Sequence, residues 1–214
     1  MATSRLQILP DPATLRLDDF AHRIAASLER REAALAAAIG ALRSDPRPIA
    51  AAAGLMLKAL ERGGCVLTAG NGGSAAEAQH MAAELVGRFR RDRRALPALA
   101  LSADAATLTA IANDYGYPEA FARIVRAWAS PDNVLVLFST SGESPNVLAA
   151  AAAAHSAAMP VVAVTGGPRS RLAAAGDVAV RVPAVETPLI QELHAIVVHL
   201  VCDLVEAEIA GGAS

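Results

Sequence analysis

A chain of 214 residues, 54% hydrophobic but only 3% aromatic, is long enough for one well-filled core. It has the composition of closely packed, alanine-rich helices rather than of a β-sandwich. A formal net charge of −2 points to neither nucleic acid nor an anionic membrane, and no N-terminal stretch reads as a secretory signal. The Ala-rich region from Leu148 to Val164 is interrupted by His155 and Pro160, as a helix followed by a strand would be and a membrane span would not.

In chain order, residues 1–16 hold two prolines and read as an extended arm. Apolar positions at helical spacing from Leu17 to about Leu42 (Phe20, Ile24, Ala25, Leu28, Leu35, Ile39) predict a helix, broken at Asp45, Pro46 and Pro48. A second helix follows to Glu61 and stops at Gly63-Gly64. Strands and helices then alternate. Strands are predicted over 65–69, 97–101, 133–138, 161–165 and 178–182, and helices over 74–88, 104–112, 118–128, 144–157 and 187–210. Each strand-to-strand step is long enough for a parallel crossover. The expected class is α/β: a five-stranded parallel sheet flanked by helices in three αβα layers, with an N-terminal helical hairpin. Residues 1–63 are read as arm and hairpin, and 64–214 as the core of the same domain. Cys65, opening a strand, and Cys202, in an apolar helix, read as buried thiols in a reducing, cytoplasmic setting.

Two strand-to-helix junctions stand out, Gly70-Asn71-Gly72-Gly73-Ser74 and Ser139-Thr140-Ser141-Gly142-Glu143-Ser144. Such turns aim backbone N–H groups and a helix N-terminus at one place, which favours an anion, and ligands of parallel sheets sit beyond the carboxyl ends of strands. Helix capping alone accounts for Ser74 with Glu77 (a capping-box spacing) and for Ser144 with Pro145. It does not account for Asn71-Gly72-Gly73 or for three successive hydroxyl residues at 139–141. The pair of loops predicts a ligand with a phosphate and several hydroxyls.

His80 and Glu84 lie four apart on one helix face, and Gln191, Ala195 and His199 form a similar stripe on the last helix. Imidazole and carboxylate at this spacing chelate a divalent cation or move protons. His155 and His194 are read as satisfied structural residues. Asn113-Asp114, ahead of Tyr115-Gly116-Tyr117-Pro118, fits turn formation or a site. The run from Arg88 to Arg94, five arginines and one aspartate, is read as a solvated face that also suits a helix C-terminus.

With these residues laid out, the chain resembles the phosphoheptose isomerases of the sugar-isomerase (SIS) superfamily, from about residue 17 to 210. The resemblance is carried by five blocks in order: 70–74, 78–89, 108–116, 139–146 and 190–194, ending at His199. It implies an SIS-type fold and an aldose–ketose isomerase that converts sedoheptulose 7-phosphate to D-glycero-D-manno-heptose 7-phosphate through an enediol. That reaction is the first step toward ADP- or GDP-heptose precursors. The residues matching Glu84 and His199 would be the acid/base pair, and those matching His80, Glu84, Gln191 and His199 would hold one zinc ion per subunit. Sugar-phosphate contacts would come from Asn71, Gly72, Gly73, Glu84, Asn113, Asp114, Ser139, Thr140, Ser141, Ser144 and Gln191. The N-terminal helices would pack in a homotetramer with sites at subunit boundaries.

One departure is Glu143, where many relatives carry asparagine; a carboxylate there repels phosphate unless it points away. The alternative is a non-catalytic SIS module, such as a replication-initiator-associating protein, expected to lack the carboxylate and second histidine. Glu84 and His199 favour the enzyme. A sugar-phosphate-sensing regulator would need a DNA-binding head, and the residues before Cys65 hold no basic recognition helix.

Overall fold

The computed structural model describes residues 17–167 and 169–211; the arm read over 1–16 lies outside the described residues. Two helices come first, α1 (Leu17–Ser44) and α2 (Arg47–Glu61). Then follow β1 (Val66–Gly70), α3 (Gly73–Val86), β2 (Ala98–Ala100), α4 (Ala105–Tyr115), a 3-10 turn (Tyr117–Glu119) and α5 (Ala120–Ala127). The chain continues through β3 (Val134–Ser139), α6 (Pro145–His155), β4 (Val161–Thr165), α7 (Arg171–Ala175), β5 (Val178–Arg181) and α8 (Thr187–Gly211).

The strands form one sheet in the order β2-β1-β3-β4-β5, and every pairing is parallel. β1 pairs with β2 on one side and β3 on the other, so the chain leaves β1 and β3 in opposite directions along the sheet. That point is the topological switch, where a crevice opens beyond the strand ends, and the two glycine- and hydroxyl-rich loops both lie on it. The central strands are buried on both faces, which is why they read as continuous apolar runs rather than as alternation. One face (Val66, Val134, Val136, Phe138, Val162, Val164) packs with residues of α2, α3 and α8, and the other (Leu67, Ala69, Leu135, Leu137, Val161, Ala163) with residues of α5, α6 and α7.

Three local expectations change. α4 continues through Asn113 and Asp114 and ends at Gly116, whose φ of 83° stops it. The helix expected over 118–128 is a 3-10 turn followed by α5. α7 was not expected: it is five residues long, too short for a periodic signal, and starts where the Ser170 hydroxyl accepts the Ala173 N–H.

The arginine run is also not simply a solvated face. Arg93 is 3% exposed and lies 3.4 Å from the Glu206 carboxylate, itself 1% exposed. Its guanidinium donates to the carbonyls of Glu84, Leu85 and Gly87, closing the end of α3. Glu206 in turn accepts the backbone N–H groups of Phe89, Arg90 and Arg91 at 2.7 to 2.9 Å. Arg88, Arg90, Arg91 and Arg94 are exposed.

Of the two histidines read as structural, His155 pairs with Asp177 at 3.2 Å. His194 belongs to the core but is poorly satisfied there: it is fully buried, neither ring nitrogen makes a well-formed hydrogen bond among the described residues, and the Thr165 backbone offsets its burial only in part. Burial pushes its pKa down to about 4. The unfolded chain therefore binds a proton at His194 below about pH 6.5, which the folded chain refuses until about pH 4. Stability is expected to fall across that window by about 3 kcal/mol. Urea midpoints at pH 7 and 4.5 measure it; the drop should shrink in His194→Phe.

Cys202 is buried and Cys65 half-buried, both as free thiols. Burial, then the charge of Glu84, pushes the Cys202 thiol up to about 12, so it is unreactive at neutral pH. No helix among the described residues is long and apolar enough to cross a membrane.

Candidate active site

The first loop turns on its glycines. Gly72 has φ 56° and is the N-cap of α3, a backbone state open to glycine and poor for other residues. At Gly73, a side chain would collide with the Gln191 amide, about 2.2 Å from the position of a Cβ. Gln191 of α8 therefore packs directly over the turn. The capping box read at Ser74 and Glu77 does not form: Gly72 holds the N-cap position, and Ser74 is a buried residue of the first helical turn. Glycine at the cap lets the backbone turn sharply enough that Ser74 is already inside the helix.

Asn71 is held by a network that sequence reasoning missed. Its amide and that of Asn146 exchange two hydrogen bonds, at 2.9 and 2.8 Å, and the Tyr117 hydroxyl donates to Asn71 Oδ1 at 2.8 Å. Asn146 is 2% exposed, although it is polar and sits in the first turn of α6. A buried asparagine there needs a partner, and that was the available signal. Tyr117 ties the segment after α4 to the first loop. Asn113 and Asp114 are exposed in the last turn of α4, with the Asn113 amide donating to Asp114 at 2.9 Å.

In the second loop Ser139 Oγ accepts the Gly142 N–H at 3.0 Å and Ser141 Oγ the Glu143 N–H at 3.2 Å. Each hydroxyl is oriented by a backbone donor while its own proton stays available. Ser144 is the N-cap of α6 and its side chain makes no cap bond. Thr140 is half-buried between them. Glu143 turns away from these hydroxyls, accepting the Arg171 N–H at 2.8 Å with the Arg171 guanidinium 3.9 Å away. Its charge is thereby directed at the start of α7.

Farther along α3 and α8, three side chains meet. His80 Nε2 lies 3.3 Å from Glu84 Oε1 and 3.3 Å from His199 Nε2. The His80 and His199 rings meet edge to face, and Phe89 stacks on His199 with centroids 5.3 Å apart and planes 25° apart. On the other ring nitrogen, His80 Nδ1 faces Glu77 Oε2 at 3.6 Å. Sequence reasoning found neither Phe89 nor this role for Glu77.

Two ligand atoms on a tetrahedral zinc, each about 2.0–2.1 Å from the metal, stand about 3.3 Å apart. The His80–Glu84 and His80–His199 separations both match that edge. The donor types, two imidazoles and a carboxylate, are those zinc takes, and the buried Glu77 oxygen behind His80 has no hydrogen-bond partner among the described residues. The donor types and the two separations suit zinc, while among the described residues of one protomer no group of three or more His, Cys, Asp or Glu is arranged to hold a metal ion. Gln191 stands apart from them in the protomer, eight residues before His199 and so about 12 Å away along the axis of α8.

Among known proteins, the SIS domain family model matches residues 19–166. A phosphoheptose isomerase from Alkalilimnicola ehrlichii is 49% identical over 168 residues, covering 77% of this chain and 86% of that protein. One from Aromatoleum aromaticum is 44% identical over 196 residues, covering 90% and 98%. The solved structure of a phosphoheptose isomerase from Neisseria gonorrhoeae matches with a TM-score of 0.80 and 41% identity, across 88% of this chain and 99% of that one.

Proposed function

The chain belongs to the SIS domain family and within it to the phosphoheptose isomerases, and from that premise we propose that it interconverts sedoheptulose 7-phosphate and D-glycero-D-manno-heptose 7-phosphate. The observation that carries the reading is the meeting of Glu84, His80 and His199 on helices that also carry the Gly72-Gly73 turn and Gln191. A carboxylate beside an imidazole is what moving one carbon-bound and one oxygen-bound proton requires.

Glu84 takes the C1 proton of the open-chain ketose and returns it at C2 of the enediol. Its Oε1 faces His80, so Oε2 is the atom assigned to this transfer. His199 delivers a proton to O2 and accepts one from O1, so the isomerisation needs no outside oxidant or reductant. Phe89 limits rotation of the imidazole from one side. Ser139, Thr140, Ser141, Ser144 and the N-terminus of α6 take the phosphate, while Asn71, Asn113, Asp114 and Gln191 take hydroxyls. Much of the rate gain comes from this positioning.

Zinc is proposed at His80, Glu84 and His199, where it would supply Lewis-acid polarisation of the sugar oxygens. The loops and the acid/base pair stand about 10 to 16 Å apart along α3 in one protomer, counting from Gly73 to His80 and Glu84. The proposed homotetramer places its sites at subunit boundaries, where the loop edge of one copy can meet the histidine end of another and Gln191 can join the ligand set. Exposed Phe20, Ile24, Leu28 and Ile39 on α1 support this assembly, as does an apolar groove of about 420 Å³ lined by Ile39, Leu42, Ile49, Ile196, Leu200 and Leu204. Two free thiols support a cytoplasmic location.

The test is turnover of sedoheptulose 7-phosphate, with zinc content and mass measured on the same preparation. Activity is expected to vanish on chelation and return with zinc, in particles of four-chain mass. A protein that binds the sugar phosphate without converting it overturns the reading.

A further inference from the structure

We propose that Glu77 is a positioning residue: its carboxylate holds the proton of neutral His80 on Nδ1, leaving the Nε2 lone pair bare toward Glu84 and His199. This rests on the zinc reading of His80 only for its consequence, not for its geometry.

The His80 imidazole lies between two carboxylates, Glu77 Oε2 at 3.6 Å from Nδ1 and Glu84 Oε1 at 3.3 Å from Nε2. A neutral imidazole has one proton and can satisfy one of them. The two claims are unequal. Among the described residues Glu77 Oε2 is buried without a hydrogen-bond partner, whereas neither Glu84 oxygen is such an atom. An oxygen shut off from water gains most from a donor, because its alternative is to stay unpaired. Glu84 can turn to solvent or to a cation instead.

Among the described residues no other side chain or backbone group claims the Glu77 carboxylate. The N-cap of α3 is Gly72, so the glutamate is not tied back to the helix start. Its place three residues before His80 puts both on one face of α3, and a small side-chain rotation brings the 3.6 Å separation within hydrogen-bond range. Histidines that ligate metals commonly give their second N–H to such a carboxylate, which fixes the ring and raises its basicity.

The experiment reads the tautomer directly. Nitrogen-15 spectra of histidine-labelled, metal-free protein, recorded where imidazole is neutral, should show His80 with its proton on Nδ1. In Glu77→Leu the proton should move to Nε2, drawn by Glu84. Zinc affinity, measured by competition with a coloured chelator, should fall about 10- to 100-fold, with little change in the metal-free unfolding midpoint. A wild-type His80 protonated on Nε2 overturns the proposal without any variant. So does an unchanged tautomer in Glu77→Leu, even if the wild type binds zinc. A tautomer that moves in a protein that never takes up zinc upholds Glu77 and removes the zinc reading instead.

Discussion

In the Glu84→Gln variant, kcat for sedoheptulose 7-phosphate is expected to fall about 10²- to 10⁴-fold, the range a positioned general base supplies. The amide keeps the shape of the carboxylate and cannot accept the C1 proton. KM should change far less, because the phosphate and most hydroxyls are assigned to other residues. Hydrogen exchange at C1 in heavy water should disappear along with turnover, since both need the same proton removal. His199→Ala should lose turnover to a similar degree and leave Phe89 without its stacking partner. The double variant should be little worse than either single one, as expected for groups that act as a unit. Because Glu84 is also a proposed zinc ligand, each variant is assayed at saturating zinc. Full activity in either single variant overturns the assignment.

The second large effect is one of stability. Glu206→Ala is expected to cost about 3–5 kcal/mol, because it leaves the Arg93 guanidinium as a buried charge without its counter-ion. Three backbone N–H groups lose their acceptor as well. For a domain of this length that is a fall in Tm of about 10 °C, measured calorimetrically. Removing Arg93 in addition should cost less than the sum, since no orphaned charge then remains. The pair also adds acid sensitivity. Burial raises the Glu206 pKa, but the Arg90, Arg91 and Phe89 N–H groups and Arg93 outweigh it, and the result lies below the ordinary glutamate value. Its contribution is complete above that value and is lost as pH falls, in the same direction as the effect of His194. Activity should suffer too, because Phe89 is anchored through this carboxylate and lies against His199.

These two effects differ in how visible they were beforehand. Glu84 could be singled out from the sequence because it stands one helical turn from His80, and spacing along a helix converts directly into proximity. Glu206 could not. Its partners lie 113 to 117 positions away in the chain, and an arginine-rich run followed by a distant glutamate looks like ordinary surface charge. Asn71 was legible as part of a glycine-rich turn, but Asn146, 75 positions away, became its partner only when β1 and β3 paired. Glu77 was misread for a related reason. Its Ser-x-x-Glu spacing is a local signature of a helix start, and a glycine two residues earlier took that position instead.

The alternation of apolar runs with helical periods was sufficient for the five parallel strands, their chain order and most helix boundaries, because strand and helix periodicity are properties of near neighbours. The same local chemistry was sufficient for the two loops and for the shared face of His80 and Glu84. Sheet order, and with it the switch point between β1 and β3 where both loops meet, was decided only by tertiary pairing. So were the approach of His199 to His80, the seat of Gln191 over Gly73, and the burial of Arg93 with Glu206. Each of these joins residues whose separation in sequence carries no distance information, and burial then sets whether a charge is solvated, paired or left facing a histidine.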